Sequence, residues 1–280
     1  MKTIGFIDYF LSEWHANNYP EWIKNAGAVS GEEFVVKYAW AEIDRSPYDG
    51  VTTDEWCEKY GAIKCASIEE LCEKSDYIVV LSPANPEKHL EYAKAVFPFN
   101  KNTYIDKTFA PDFKSSEEIF ALSKKYNTKF FSTSALRCAT ELEELINSDT
   151  VTITGGGSNY DEYIVHQIEM AVKTINRKAI KVRLEAQGQD KYTSTVQFEN
   201  GGLATMFFAP ENGFTITAEK DNEKYYKEIQ SDFFKFLIGD MLKFFADGKQ
   251  PFDSEQTREV MKIRSALCSA KDKPCEWIEL

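Results

Sequence analysis

Residues 76–83 read Asp-Tyr-Ile-Val-Val-Leu-Ser-Pro, and residues 103–110 read Thr-Tyr-Ile-Asp-Lys-Thr-Phe-Ala. Both runs are rich in the β-branched and aromatic residues of buried strands, and residues 86–97 between them have the pattern of a helix. A strand, a helix and a second strand form a βαβ unit, which builds parallel sheets. Ligands of such sheets bind at the carboxyl ends of the strands. The polar residues expected at that edge are Ser82, Asn85, Asp106 and Lys107.

The remainder of the first half continues this alternation. Further strands are predicted at Lys2–Asp8, Glu33–Trp40 and Lys129–Ser132, and further helices at Thr53–Tyr60, Ile68–Ser75 and Ser115–Tyr126. The pattern predicts an α/β domain with a Rossmann-like parallel sheet over residues 1–132. Pro20 disfavours a straight helix through residues 14–23, although a helix could begin at Pro20.

The second half, residues 133–280, has a different pattern. A helix is predicted at Asp161–Asn176, and strands are predicted at Ala179–Gln187, Tyr192–Phe198, Leu203–Phe208 and Phe214–Glu219, with one more possible at Tyr225–Ile229. Asn200-Gly201-Gly202 predicts a hairpin turn, and two helices close the chain. The pattern indicates an α+β domain with a mainly antiparallel sheet. Large side chains alternate along residues 205–208 and 214–217, so one open face of the sheet is expected to be apolar enough for a dimer.

Composition narrows the classes of function. The chain has 280 residues and a formal net charge of −12, so a phosphate backbone would be repelled and nucleic acid is a poor partner. No apolar run approaches a membrane span, and Asp8 interrupts the first apolar stretch too early for a signal peptide, which predicts a cytoplasmic protein. The six cysteines form no C-x-x-C pair and no zinc spacing, so free thiols and no metal site are expected.

One face of the helix predicted at residues 161–176 carries candidate catalytic groups. These are Glu162, His166, Glu169 and Lys173, spaced four, three and four residues apart. Carboxylates one turn away on each side would orient the histidine and favour its charged form, as suits a general base. The alternative is a solvated face with a Glu169–Lys173 pair. Gly155-Gly156-Gly157 before the helix would allow the backbone to approach a ligand closely, or would simply build a turn.

Taken together, these motifs resemble the Gfo/Idh/MocA oxidoreductases, the family that contains glucose-fructose oxidoreductase and inositol dehydrogenase. Asp106-Lys107-Thr108 is similar to the family's Glu-Lys-Pro motif, and Ser82-Pro83 with His89 is similar to its Ser/Thr-Pro strand end and following histidine. Residues 155–157 and the Glu162-x-x-x-His166-x-x-Glu169 helix are similar to its glycine-rich strand and Asp-x-x-x-His-x-x-Asp helix. The resemblance covers nearly the whole chain.

The resemblance implies a nicotinamide-dependent oxidation or reduction of a sugar or polyol, with NAD or NADP as cofactor. Lys107 would stabilise the charge that develops on the reacting oxygen, His166 would carry the proton, and both would face one cleft between the domains. Glu162 and Glu169 complete the implied catalytic set. The implied cofactor contacts are Asp8, Phe10, Leu11, Glu42, Ser82, Pro83, Asn85 and Asp106. A homo-oligomer, dimeric or larger, is expected.

The chain departs from the family at the cofactor's glycine-rich turn. The glycine positions of G-x-G-x-x-G are occupied by Asp8, Phe10 and approximately Glu13, and no glycine occurs between Gly5 and Gly27. We therefore expect residues 8–19 to form a bulky loop that obstructs the pyrophosphate. Repulsion from the acids adds roughly 1 kcal/mol at 4 Å in water and roughly 4 kcal/mol at an effective dielectric of 20. The alternative function is thus a non-catalytic sugar-binding or regulatory protein.

Overall fold

Backbone contacts divide the chain into two compact units. The computed structural model describes residues 1–27 and 31–280 in full, together with the helical backbone through residues 28–30. One unit combines Met1–Thr133 with Leu237–Phe252, and the other combines Ser134–Phe236 with Asp253–Leu280. The sequence pattern assigned all of residues 133–280 to a second domain. Leu237–Phe252 instead packs with the first unit, where the ring of Phe245 stacks on Tyr77 at 4.8 Å between centroids.

The first unit is built on a six-stranded parallel sheet with the strand order β3-β2-β1-β4-β5-β6. Its strands are β1 (Lys2–Asp8), β2 (Phe34–Ala41), β3 (Ile63–Lys64), β4 (Tyr77–Val80), β5 (Thr103–Ile105) and β6 (Phe130–Phe131). Its helices are α1 (Trp14–Ser30), α2 (Thr53–Tyr60), α3 (Ile68–Lys74), α4 (His89–Val96) and α5 (Phe113–Tyr126). This strand order is that of the Rossmann fold and confirms the predicted α/β class.

Helix α1 corrects two expectations from the sequence. It begins at Trp14 and continues through Pro20, so the predicted bulky loop over residues 8–19 is confined to residues 9–13. A proline inside a helix costs about 3 kcal/mol because it removes one backbone hydrogen bond and crowds the preceding turn. Two features offset that cost. The Glu13 carboxylate caps the first turn, and Tyr19 and Ile23 are fully buried on either side of the proline.

The second unit is built on a seven-stranded mixed sheet with the order β12-β11-β7-β10-β9-β8-β13. Its strands are β7 (Thr150–Gly155), β8 (Ala179–Gly188), β9 (Lys191–Phe198), β10 (Leu203–Phe208), β11 (Thr215–Lys220), β12 (Glu223–Glu228) and β13 (Trp277–Glu279). The helices of the second half are α6 (Tyr160–Ile175), α7 (Phe233–Asp247) and α8 (Ser254–Ser269). Only the pair β7–β10 is parallel, which confirms an α+β unit with a mainly antiparallel sheet.

The two faces of this sheet differ in polarity. Met206 and Phe208 point into the core, whereas Phe207 between them is 41% exposed. The register places Thr152 beside both Thr205 and Thr217, so the outward face is rich in threonine around Phe207. The face is therefore less apolar than the alternation suggested, and the dimer stays a prediction.

The cysteines are free thiols. Burial raises the pKa of Cys57 to about 11 and that of Cys72 to about 12, so both are protonated near neutral pH and are poor nucleophiles. Within residues 1–27 and 31–280, no group of three or more His, Cys, Asp or Glu side chains could hold a metal ion. In the described part of the chain, no helix combines the length and apolar character needed to cross a membrane.

Candidate functional site

The carboxyl edge of the first sheet is tied together by hydrogen bonds between neighbouring strand ends. Asp8 ends β1, Ser82 follows β4, and β1 and β4 are adjacent. The Ser82 hydroxyl donates to Asp8 Oδ1 at 3.0 Å, and the Tyr9 N–H donates to both Asp8 Oδ1 (2.7 Å) and Ser82 Oγ (2.8 Å). Ser82 has a φ of 65°, a left-handed conformation unusual for serine. Direct contacts thus connect two of the predicted site residues.

Asp8 is a buried acid in an unfavourable environment for its charge. Its carboxyl is 1% exposed, and Oδ2 has no hydrogen-bond partner. Burial, followed by the charge of Glu13, raises the pKa of Asp8 well above its ordinary value. The folded protein therefore favours the protonated form of this side chain.

Asp106, which follows β5, is buried but ionised by a specific partner. Burial alone would raise its pKa, but the charge and hydrogen bond of His15 Nδ1 hold the pKa of Asp106 below its ordinary value. Its other oxygen, Oδ1, accepts the Lys107 N–H at 2.8 Å and the Tyr104 hydroxyl at 3.1 Å. Asp106 thereby anchors the backbone from which the half-buried Lys107 side chain extends.

His15 is a functional candidate that the sequence analysis did not select. It lies in the first turn of α1, is 9% exposed, and stacks on Tyr19 with 5.2 Å between ring centroids. The sequence predicts a bulky loop over residues 8–19, because no glycine lies between Gly5 and Gly27, and Pro20 disfavours a straight helix through this segment. The signal that was available is Glu13, which can cap a helix whose first turn contains Trp14 and His15. Such a cap predicts a helix that begins before Pro20.

The segment between β1 and α1 is packed into the protein. Phe10, Leu11 and Ser12 are all buried. Phe10 meets the ring of Tyr48 edge-on at 5.1 Å, and the Ser12 hydroxyl donates to Asp49 Oδ2 at 2.7 Å. This turn therefore carries buried side chains that contact Tyr48 and Asp49, where a glycine-rich turn would carry none.

Glu13 occupies the N-terminus of α1 with its own carboxylate. Oε2 accepts the His15 N–H at 2.8 Å, and Oε1 accepts the Ala16 N–H. Glu13 is 6% exposed. Burial raises the pKa of Glu13, and the positive charge of His15 partly opposes that rise.

Glu42, the acid that follows β2, already has a partner on each oxygen. Lys88 Nζ donates to Oε1, and the Tyr92 hydroxyl donates to Oε2 at 2.8 Å. Burial opposes ionisation, but these two hydrogen bonds bring the pKa of Glu42 below its ordinary value. A ribose hydroxyl would have to displace one of these donors to bind this carboxylate.

The remaining predicted cofactor contacts lie around the turn after β4. Asn85 Nδ2 donates to Glu87 Oε1 at 2.9 Å, and Pro83 is half-buried. The fully buried His89 ring lies between the carbonyl oxygens of Leu81, at 2.6 Å, and Phe109, at 3.0 Å. Burial lowers the pKa of His89, although the two carbonyl acceptors favour its charged form. His89 therefore holds this edge together from within.

In the second unit, the ring of His166 is held by a serine. Ser134 Oγ lies 2.6 Å from His166 Nδ1 and also accepts the Leu136 N–H at 3.2 Å. A hydroxyl can both donate and accept, so Ser134 supports His166 with or without a proton on Nδ1. The sequence analysis missed Ser134, which is 32 residues away in the chain. Glu162 lies in the first turn of α6, with a half-buried side chain.

The alternative of a solvated helix face predicts that Glu169 pairs with Lys173, but Glu169 has other partners. Its carboxylate accepts from Arg137 Nη1 at 3.1 Å and from the Ser134 N–H at 3.1 Å, and it is 3% exposed. Lys173 Nζ instead donates to the Arg137 carbonyl (2.8 Å) and to Glu143 (2.7 Å). This helix face is therefore packed against the segment after Ser134 and is not a solvated face. Glu169 fixes the serine that contacts His166.

The glycine triplet serves packing within the second unit. A Cβ on Gly156 would come within 2.3 Å of the Ala209 carbonyl oxygen, and one on Gly155 within 2.6 Å of the Phe214 ring. Gly157 has a φ of 146° and lies against Tyr163. The close approach allowed by these glycines is thus to other parts of the chain, namely residues 209–214 and Tyr163.

The first unit does not fit a dinucleotide held in the usual way. A Rossmann pyrophosphate binds the free N–H groups at the start of the first helix, and two of these are bonded to Glu13. The buried Asp106, whose pKa is lowered, adds negative charge nearby, and Phe10 and Leu11 are buried in the turn. The carboxylate at the usual ribose position is bonded as well.

Comparison with solved structures identifies many chains of the same fold. Myo-inositol dehydrogenase from Lactobacillus casei, solved with NAD(H) and myo-inositol, superposes with a TM-score of 0.81 at 9% identity over 100% of this chain and 96% of that one. An NAD-binding oxidoreductase from Klebsiella pneumoniae gives 0.78 at 11% identity, over 99% and 98% of the two chains. UDP-N-acetylglucosamine 3-dehydrogenase from Acidithiobacillus ferrooxidans gives 0.76 at 12%, over 96% and 97%.

The similarity between this chain and these proteins is in fold and not in sequence. No family model matches the chain, and no curated protein matches it in sequence. At identities of 9–12%, the superpositions establish the fold alone, over 96–100% of this chain.

Proposed function

We propose that the chain is an oxidoreductase that acts on a CH–OH group of a sugar or polyol. The observation that carries the proposal is the position of Lys107, which follows the inner strand β5 of a Rossmann-order sheet and is anchored through Asp106. The fold neighbours support the class, since one is described in complex with NAD(H) and myo-inositol and another is a sugar-nucleotide dehydrogenase.

In this proposal, the chain's own residues stabilise charge and move the proton. The Lys107 ammonium, a compact cation, stabilises the substrate oxygen as it loses its proton. His166 accepts or returns that proton, with Ser134 holding its ring and Glu169 holding Ser134. The redox cofactor proposed from the fold neighbours is NAD or NADP. It would have to lie away from the start of α1, because Glu13 is bonded there.

The second candidate is a sugar-binding or regulatory protein without redox activity. The packed turn at Phe10 and Leu11 and the capped helix start favour it, because both weaken the usual cofactor site. Retention of both Lys107 and His166 favours the enzyme, since a binding protein has less need of an acid–base pair.

The test is a substrate panel with matched variants. The purified protein is offered polyols and aldoses with NAD⁺ or NADP⁺, and formation of the reduced nicotinamide is followed by absorbance. Turnover is expected, and Lys107→Met and His166→Gln should each lower its rate by roughly 10²-fold or more. Lys64→Met, which removes two exposed ion pairs in the same unit, with Asp44 and with Asp54, should leave the rate unchanged. Calorimetric binding of a sugar without turnover under any cofactor would favour the second candidate.

A further inference from the structure

The start of α1 carries an anion that belongs to the chain itself. Glu13 precedes the helix, and its two carboxylate oxygens accept from the N–H groups of His15 and Ala16. These are the donors that a helix N-terminus offers to a phosphate, and the helix dipole favours a negative charge at the same place. A carboxylate on these donors therefore stands where a ligand's phosphate would stand.

Burial distinguishes this cap from an ordinary one. Glu13 is only 6% exposed, so water competes little for its oxygens. By contrast, Asp112 caps α5 of the same unit from an exposed position, accepting the Ser115 N–H at 2.7 Å. Two helices of this unit, α1 and α5, thus have acidic caps, and the cap of α1 is buried whereas that of α5 is exposed.

The negative charges near Asp8 also disfavour a phosphate at the start of α1. The buried carboxyl of Asp8 lies close enough for its ionisation to be disfavoured by Glu13 and Asp106, and its Oδ2 lacks a hydrogen-bond partner. An arriving phosphate would add negative charge beside these acidic side chains. The nearby His15 is already paired with Asp106. The charges at the carboxyl edge of the first sheet therefore favour a ligand that places no phosphate at the start of α1.

We infer that Glu13 is a specificity-determining residue that excludes phosphate-bearing ligands from the start of α1 by occupying their hydrogen-bond donors. Phosphate can enter only when the Glu13 carboxylate leaves its two N–H partners. The inference concerns the edge used by the proposed function, but it holds whichever of the two candidate functions is correct.

Calorimetric titration with inorganic pyrophosphate and with NADH tests this inference. Glu13→Ser keeps a side chain able to cap the helix and removes the carboxylate. It should bind both probes at least tenfold more tightly than the unmodified chain. Asp112→Ser makes the same kind of change at the exposed cap and should bind like the unmodified chain.

A second variant separates the inference from a folding defect. Glu13→Gln keeps the size of the side chain and removes its charge, so it should give a smaller gain in the same direction. Thermal unfolding of each variant verifies that it is folded. Tight pyrophosphate binding by the unmodified chain, or no gain in either folded variant, would overturn the inference. Turnover is not a readout, so a failure here leaves the proposed function untouched.

Discussion

Two buried aspartates, Asp8 at the end of β1 and Asp106 after β5, show how local partners decide the ionisation of a side chain. Asp8 and Asp106 are each 1% exposed. The pKa of Asp8 is raised, because burial and the charge of Glu13 disfavour its ionised form. The pKa of Asp106 is lowered despite burial, because His15 supplies a positive charge and a hydrogen bond. The pKa of one residue type is therefore shifted in opposite directions at two positions of the same sheet edge.

Asp8→Asn is expected to stabilise the protein near neutral pH. A carboxyl whose pKa is raised in the folded state lowers the free energy of unfolding at any pH at which it is ionised in the unfolded chain. This destabilisation disappears below the ordinary aspartate pKa, where the carboxyl is protonated in both states. The variant should raise the unfolding midpoint at neutral pH by about 2–4 °C, the change produced by 1 kcal/mol in a domain of 150–250 residues. The gain should shrink as the pH falls towards the ordinary aspartate value.

Thermal unfolding followed by circular dichroism across this pH range measures the effect. Asp54→Asn, which removes an exposed partner of Lys64, is the control and should change the midpoint little at any pH. An Asp8→Asn variant that is less stable by the same amount at every pH would show that the charge of Asp8 is not unfavourable.

The position of a residue at the end of a strand can be predicted from chain order alone. Asp106 and Lys107 follow a strand, so their location at the sheet edge needs no knowledge of distant contacts. His15 and Ser134 were missed because their roles depend on partners 91 and 32 residues away, Asp106 and His166. Such pairings are absent from any local pattern.

At the scale of elements, local signals were overridden where tertiary packing was strong. Pro20 argued against a helix, yet α1 runs through it because its cap and its buried face offset the cost. The glycine triplet before α6 suggested a ligand, yet it accommodates residues 209–214. A run of glycines indicates that another group packs closely against the backbone. It does not indicate whether that group is a ligand or another part of the chain.

Gly156→Ala should therefore destabilise the second unit. The new Cβ would lie 2.3 Å from the Ala209 carbonyl oxygen and 2.7 Å from that of Pro210, both backbone atoms that cannot simply rotate away. Overpacking of this kind costs about 1–3 kcal/mol. Gly213→Ala is the matched control, because a Cβ there meets nothing within 4 Å. Chemical denaturation measures both, and equal stability of the two variants would refute the packing role of Gly156.

For the whole molecule, periodicity predicted both fold classes but not which elements group together. The alternation of strands and helices indicates a parallel sheet regardless of distant contacts. The buried side chains of α7 recur at helical spacing and predict a core face, but this spacing does not indicate which of the two cores the face joins. Leu237–Phe252 lies with the first unit because its aromatic rings meet Tyr77 and Phe131, neither of which is near it in sequence.

The oligomeric state is the last prediction and concerns the outward face of the second sheet. Phe207, 41% exposed on the inner strand β10, is the large apolar group at the centre of a threonine-rich surface. A dimer formed through this face would bury the ring and pair the threonine rows of two copies. Light scattering is expected to give twice the chain mass, and Phe207→Asp should give a monomer, since a buried unpaired carboxylate is strongly unfavourable.

The control for this prediction is Tyr226→Asp, which changes another exposed aromatic residue on the edge strand β12. It should leave the dimer intact, because β12 lies three strands away from β10 in the order β12-β11-β7-β10. A chain that is monomeric before any substitution would contradict the dimer. A dimer that survives Phe207→Asp and separates in Tyr226→Asp would move the interface from the centre of the sheet to its edge.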